Sequence, residues 1–287
     1  MLISLVNVLI NGLAYGVLLF LMAGGLSVTM GLMGFANLAH GALAMLGGYI
    51  LVMLMNGHGW GFVPALGAAT LGAAAAGIVI ERTVYRRLYR GAELDQVLLT
   101  IGVVSMTVAA ATYVWGAQPQ AVQLPAWLDG RVEAGGVDVG SYRLFLIVVG
   151  GALTGGLVLG IDKTSFGAKI RAAVDNRRMT VSCGIDVDRL FTFAFAIGSA
   201  LAGLGGGLAV SLVGLDPNFA VKYLVFLLMV VVVGGLGSIK GTLLAAIALG
   251  ICDVTGKYYV PQVGAFILYA LTVAMLLWRP RGLFGRR

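Results

Sequence analysis

For its first eighty residues the chain carries no charged side chain; the first is Glu81. Apolar residues run on with little interruption except glycine, and the polar positions gather in a few short links. Runs of about 20 apolar residues, rising 1.5 Å per residue, are long enough to cross a hydrocarbon core about 30 Å thick. Such runs recur over 5–30, 38–56, 62–80, 97–116, 142–161, 190–213, 219–237, 241–257 and 262–278, which predicts nine spans. The range is eight to ten, because the last candidates are short and the glycine-rich link 31–41 admits a broken or re-entrant path. The spans read as helices, since in lipid only helices and closed barrels satisfy their own backbone. A barrel would alternate apolar and polar residues in runs of about ten, and "LFTFAFAIGSALAGLGGGLAVSLV" has no such alternation. The fold class is therefore an all-α polytopic membrane protein.

Composition agrees: 60% of the 287 residues are hydrophobic and 11% are charged, against about 25% charged in soluble domains. The start, "MLISLVNVLING", lacks a basic leader, so the first helix is expected to act as its own insertion signal and to remain. Cys183 falls in a polar segment and Cys252 in a span toward the other face, so no disulfide is expected.

Charge sets the orientation. Arg82, Arg86, Arg87 and Arg90 form one basic cluster. Lys163, Lys169, Arg171, Arg177, Arg178 and Arg189 form a second, and Arg279, Arg281, Arg286 and Arg287 a third. Nine spans place all three on one face, which the positive-inside rule makes cytoplasmic. The C-terminus is then cytoplasmic and the N-terminus extracytoplasmic. The net charge of +7 reads as an orientation signal and an attraction to anionic headgroups. It does not read as a nucleic-acid surface, which would need basic residues interleaved with aromatics outside the bilayer. The main extracytoplasmic loop is 117–141, where Asp129, Glu133 and Asp138 stand against Arg131. That loop is either a solvated link or a surface that receives a soluble partner.

Small residues every four positions let helices approach closely in lipid. Ser199, Gly203, Gly207 and Ser211 follow that spacing, as do Gly151 with Gly155, Gly156 with Gly160, and Ala68 with Gly72 and Ala76. Each set is expected to pack against a neighbouring helix.

The segment 162–189 breaks the pattern, with five basic residues within "TSFGAKIRAAVDNRRMTVSCGIDVDR" (164–189). Read as one helix over 165–181 capped by Ser165, it gathers Phe166, Ile170, Val174 and Val181 into an apolar stripe. Arg171, Asp175 and Arg178 fall opposite, with Asp175 placed to pair with both arginines. Such a helix either lies flat among headgroups or docks into a groove on a cytoplasmic protein.

Here a resemblance enters. "FGAKIRAAVDNRRMTVSCGI" resembles the cytoplasmic coupling segment of ABC importer permeases, through Gly167, Arg171, Ala172, Asn176, Gly184 and Ile185. "GLMGFANLAHGALAMLGGY" is similar to the signature of LivH-like permeases of branched-chain amino acid importers, through Asn37, Ala39, His40, Gly41, Gly47 and Tyr49, and "GGLGSIKG" (234–241) resembles their late glycine motif. Ala42 stands where an acidic residue is common, and Thr180 where an alanine usually sits.

The resemblance implies one transmembrane permease domain over 1–287 in the bacterial cytoplasmic (inner) membrane. It implies coupling to cytoplasmic ABC ATPase subunits through Gly167, Arg171, Ala172, Asn176 and Gly184. A second homologous permease and an extracytoplasmic solute-binding protein would complete the importer. Urea, short amides or another amino acid are alternative solutes, and an ATP-independent secondary transporter or channel is the rival class.

The chain has no G-x-x-x-x-G-K-[ST] phosphate loop, so any ATP is expected on partner subunits, with no cofactor on this chain. Two histidines far apart predict no metal site, and the absence of a nucleophile–base pair predicts no enzyme. Polar residues at membrane depth are candidates for function. Asn37 and His40, three apart on one helical face beside Gly41, either lock helices together or line the solute path. Asp253 and Lys257, four apart, read as an ion pair or a gate, and Asn7 and Asn11 form a further polar pair.

Overall fold

The computed structural model describes residues 2–33, 37–88, 92–134 and 137–285. Arg90, Arg286, Arg287 and the centre of the 31–41 link lie outside the described residues. In chain order the helices are α1 (Leu2–Met33), α2 (His40–Val52), α3 (Phe62–Ile80), α4 (Arg86–Leu88), α5 (Glu93–Trp115) and α6 (Ser141–Lys163). There follow α7 (Ser165–Asp175), α8 (Arg177–Ser182), α9 (Val187–Val213), α10 (Phe219–Gly234), α11 (Ile239–Tyr259) and α12 (Gly264–Trp278). Single π-helical turns, Met53–Gly57 and Glu81–Tyr85, extend α2 and α3.

Among the described residues, seven helices are long and apolar enough to cross a membrane: α1, α2, α3, α5, α6, α9 and α11, the second and third with their π turns. All seven fall on expected spans. The other two, at 219–237 and 262–278, are the shorter apolar helices α10 and α12. At 16 and 15 residues they rise only about 24 and 22 Å, less than the thickness of a hydrocarbon core. Among the described residues the strands form one hairpin, in the 117–141 loop. There β1 (Arg131–Ala134) pairs antiparallel with β2 (Val137–Gly140), and Arg131 bonds Asp138 at 2.9 Å.

Backbone contact through glycine holds the bundle together. α9 sits at its centre, against α1, α2 and α3. A Cβ on Gly206 would stand 2.5 Å from the Ala44 carbonyl carbon of α2, and one on Gly25 of α1 would be 2.5 Å from the Gly198 Cα of α9. α1 runs antiparallel to α11, with Gly12 on the Ile251 backbone and Gly16 on that of Ile247. Lipid gives helices no hydrophobic reason to associate, so this close packing supplies the attraction.

The expected small-residue seams fare differently. Ser199, Gly203 and Gly207 of α9 meet α3 at Gly77, Ala73 and Leu66. On α3 the buried line is Ala65, Ala69, Ala73 and Gly77, while Ala68, Gly72 and Ala76 are only half-buried beside it. The α6 seams are a correction. Gly151, Gly155, Gly156 and Gly160 have nothing within 4 Å of where a side chain would begin, and Gly150 makes the contact instead, on Val17.

Toward the far end of α11, Lys257 Nζ donates to Asp253 Oδ2 at 2.6 Å, and the Asp253 carboxylate is buried. Asn7 and Asn11 do not bond each other: Asn11 Oδ1 accepts from Arg143 at 2.8 Å. Cys183 and Cys252 are both free.

Candidate functional site

The charged segment folds as two helices joined at a corner, where one was expected. The cap also differs: Thr164 Oγ1, not the Ser165 hydroxyl, accepts from Gly167 N at 3.2 Å and opens α7. Gly167 then backs onto α6, where an added Cβ would stand 2.6 Å from Ile161 Cα. Arg171 donates to the Ile161 carbonyl. These contacts fold α7 sharply back on the last turn of α6.

Asn176 makes the corner. Its backbone is extended (φ −153°, ψ 94°) and its Oδ1 accepts from Met179 N at 3.0 Å, so it ends α7 and caps α8. Asparagine suits this because its short amide competes with the helical backbone for hydrogen bonds. The break also resets the helical phase. Ile170 and Ala173 are buried on α7, but on α8 the buried residue is Thr180 and the expected stripe member Val181 is 54% exposed.

At the exit Gly184 adopts φ +79°, and Ile185 N donates back to Thr180 O at 3.3 Å. This is the left-handed helix stop that favours glycine. Gly184→Ala is expected to cost about 1–2 kcal/mol locally, read as earlier hydrogen exchange in 177–185 with the spans unaffected.

The segment is fastened to the bundle at a second point. Asp188, in the first turn of α9, accepts from Arg177 of α8 at 3.0 Å and from Arg86 of α4 at 3.1 Å. The Arg177 guanidinium also lies 5.1 Å from the centre of the Phe191 ring. One turn further, Thr192 donates to the buried Glu81 carboxylate at 2.8 Å. Arg86 of the first basic cluster and Arg177 of the second therefore meet at one end of the bundle. The third arrives when Leu283 N and Phe284 N donate to the Val233 and Gly234 carbonyls. Outward-facing residues on α7 and α8 include Ala168, Lys169, Ala172, Asp175, Arg178, Met179 and Val181.

The membrane-depth candidates gather at a different junction. Asn37 Oδ1 accepts from Tyr85 Oη at 3.0 Å and from Ala39 N at 3.1 Å. His40 Nε2 lies 2.9 Å from the Met22 carbonyl of α1. Gly41 is pressed to α10, with an added Cβ 3.2 Å from the Ala220 carbonyl carbon. Met22 sits about 16 Å short of the end of α1 at 1.5 Å per residue, so α2 begins deep within the bundle. Asn37 and His40 are fully buried, and among the described residues Asn37 Nδ2 and His40 Nδ1 have no hydrogen-bond partner.

A family model described as "branched-chain amino acid transport system / permease component" matches residues 8–276. The chain belongs to that family. It is 29% identical to the high-affinity branched-chain amino acid transport system permease protein BraD of Pseudomonas aeruginosa, over 97% of this chain and 95% of that protein. It is 28% identical to the LivH permease protein of Escherichia coli K12, over 96% and 94% of the two chains. It is also 28% identical to the LivM permease protein of the same organism, over 90% of this chain and 66% of that one. No solved structure matches.

In this branched-chain permease, Gly167, Arg171, Asn176 and Gly184 shape the segment: a close approach, a staple, a corner and a stop. Only Ala172 of the five matched residues simply faces outward. The Asp188 clamp went unseen in the sequence, because Arg86 is 102 residues from it and no periodicity links them. The Ile161 carbonyl, as a backbone group, has no sequence signal at all. Asp186, which caps α9 by accepting from Arg189 N at 3.0 Å, had one: an acidic residue just ahead of a long apolar run. Among the described residues no group of three or more His, Cys, Asp or Glu could hold a metal ion.

Proposed function

We propose that this chain is the membrane permease subunit of an ATP-driven importer for branched-chain amino acids. It takes up the motion of cytoplasmic ATPase subunits through the α7–α8 corner. The observation that carries the reading is the double fastening of that corner, on Ile161 of α6 and Asp188 of α9, with Ala172, Met179 and Val181 left facing outward. A segment built only to rest on headgroups would bury its apolar residues in lipid along one stripe; here the stripe is broken at Asn176. The basic end is then cytoplasmic, with the C-terminus there and the N-terminus on the extracytoplasmic side. The relatives named LivH and LivM support pairing with a second, homologous permease. An extracytoplasmic binding protein delivers the solute, and the whole chain acts as one domain in the bacterial inner membrane.

Asn37, His40 and Gly41 are the residues we assign to the solute path. A helix that starts deep in a membrane presents the positive end of its dipole there. Asn37 Nδ2 and His40 Nδ1 add a donor and an acceptor that no described residue uses.

Co-purification tests the coupling. Gly167→Val, Arg171→Ala and Asn176→Pro in the assembled transporter are expected to weaken retention of the ATPase subunit and to abolish ATP-driven uptake in proteoliposomes. Full retention and full uptake in all three variants would overturn the assignment.

A further inference from the structure

At the basic end, where α1 and α6 finish and α11 begins, lies a cavity of about 240 Å³. One wall is apolar, from Val28 of α1, Val158 and Ile161 of α6 and Ile170 of α7. Arg171 and Lys240 also line it.

We propose that this cavity binds the phosphate of an anionic phospholipid from the adjoining leaflet, with an acyl chain lying along α6. The polar side suits a phosphate. A guanidinium has five N–H donors in a planar fork, and Arg171 commits one of them to Ile161 O. An ammonium has three donors and can serve more than one partner. The first turn of α11 opens beside them, capped where Ser238 Oγ accepts from Gly241 N at 3.2 Å. That turn adds the positive end of a helix dipole.

The apolar side suits a chain. Gly155 and Gly151 lie three and seven residues before Val158 on the same face of α6, and beyond the local helix backbone no described atom comes within 4 Å of where a side chain would begin at either. They form a shallow track that leads from the cavity toward mid-membrane. A free phosphate would use the cations but would leave the apolar wall and the track empty. Basic pockets between membrane helices at the cytoplasmic side are suited to anionic headgroups on general electrostatic grounds. A lipid held here would touch α1, α6, α7 and α11 at once.

Native mass spectrometry of the delipidated full-length protein tests this with phosphatidylglycerol, phosphatidylcholine and inorganic phosphate as probes. Phosphatidylglycerol is expected to stay bound at collision energies that strip phosphatidylcholine. Lys240→Gln is expected to weaken it about five-fold. Val158→Trp, which fills the cavity without touching a charge, is expected to remove it with helicity unchanged by circular dichroism. Equal retention of the two lipids by the wild type overturns the proposal, as does unchanged affinity in Lys240→Gln. Full displacement of phosphatidylglycerol by inorganic phosphate at equal concentration also overturns it, giving the site to the free ion. None of these readings depends on transport or on an ATPase partner.

Discussion

Gly206→Leu is expected to yield almost no folded protein, while Gly155→Leu behaves as wild type. Both residues are glycines within long apolar helices, and a hydropathy scale sees the two changes as equal. What differs is the neighbour. At Gly206 even a first carbon would stand 2.5 Å from a main-chain carbon of Ala44. No rotamer can relieve that, so α2 and α9 must part. Overpacking alone typically costs about 1–3 kcal/mol, occasionally more. Here the displaced atoms are backbone at the centre of the bundle, which places the cost at or above the top of that range. At Gly155 a first carbon would meet nothing within 4 Å, so no backbone has to move to admit a side chain. Fluorescence-detected size-exclusion chromatography of tagged variants in mild detergent reads the outcome directly. A monodisperse Gly206→Leu peak at wild-type yield would mean that α2 and α9 do not pack as described.

Asp188→Asn is expected to do the reverse, leaving the fold and breaking the function. Both ion pairs at Asp188 are about half exposed, and such pairs contribute little to stability, about 0–1 kcal/mol each. Their value is geometric. Arg177 belongs to the segment assigned to the ATPase, Arg86 to α4, which continues α3 through its π turn, and Asp188 to the start of α9. A push on α8 reaches both spans through one carboxylate. With asparagine in its place, the transporter is expected to assemble and hydrolyse ATP. Amino-acid uptake in proteoliposomes is expected to fall to a small fraction of wild type. Arg86→Gln should act in the same direction but less strongly, since Arg177 still reaches Asp188. Unchanged uptake in Asp188→Asn would move the transmission route elsewhere, to the Arg171–Ile161 staple on α6.

The spans were readable because burial in lipid asks one thing of every residue along a helix, and hydropathy records it. Family motifs likewise marked Gly167, Arg171, Asn176 and Gly184, but the reasons they matter were hidden. Periodicity carried straight through Asn176, because the apolar residues on either side keep helical spacing in the sequence while the corner resets the helical phase only in space. The small-residue seams show a second limit. Gly151 and Gly155 on α6 have the same spacing as Gly203 and Gly207 on α9, yet one pair is open and the other is packed. Spacing tells which residues share a face, and only the tertiary arrangement tells what that face meets. On α3 the same ambiguity set the expected seam beside the buried line of Ala65, Ala69, Ala73 and Gly77.

The bend at Asn176 decides what shape of socket can receive this part of the chain. A straight rod slides along a groove and tolerates a shift of register. An elbow offers two short arms at different angles and seats in only one position. A linear peptide copied from 165–181 and locked into continuous helix would make a poor decoy, whereas one hinged at its twelfth residue would fit. Torque as well as thrust can pass through a joint of that form.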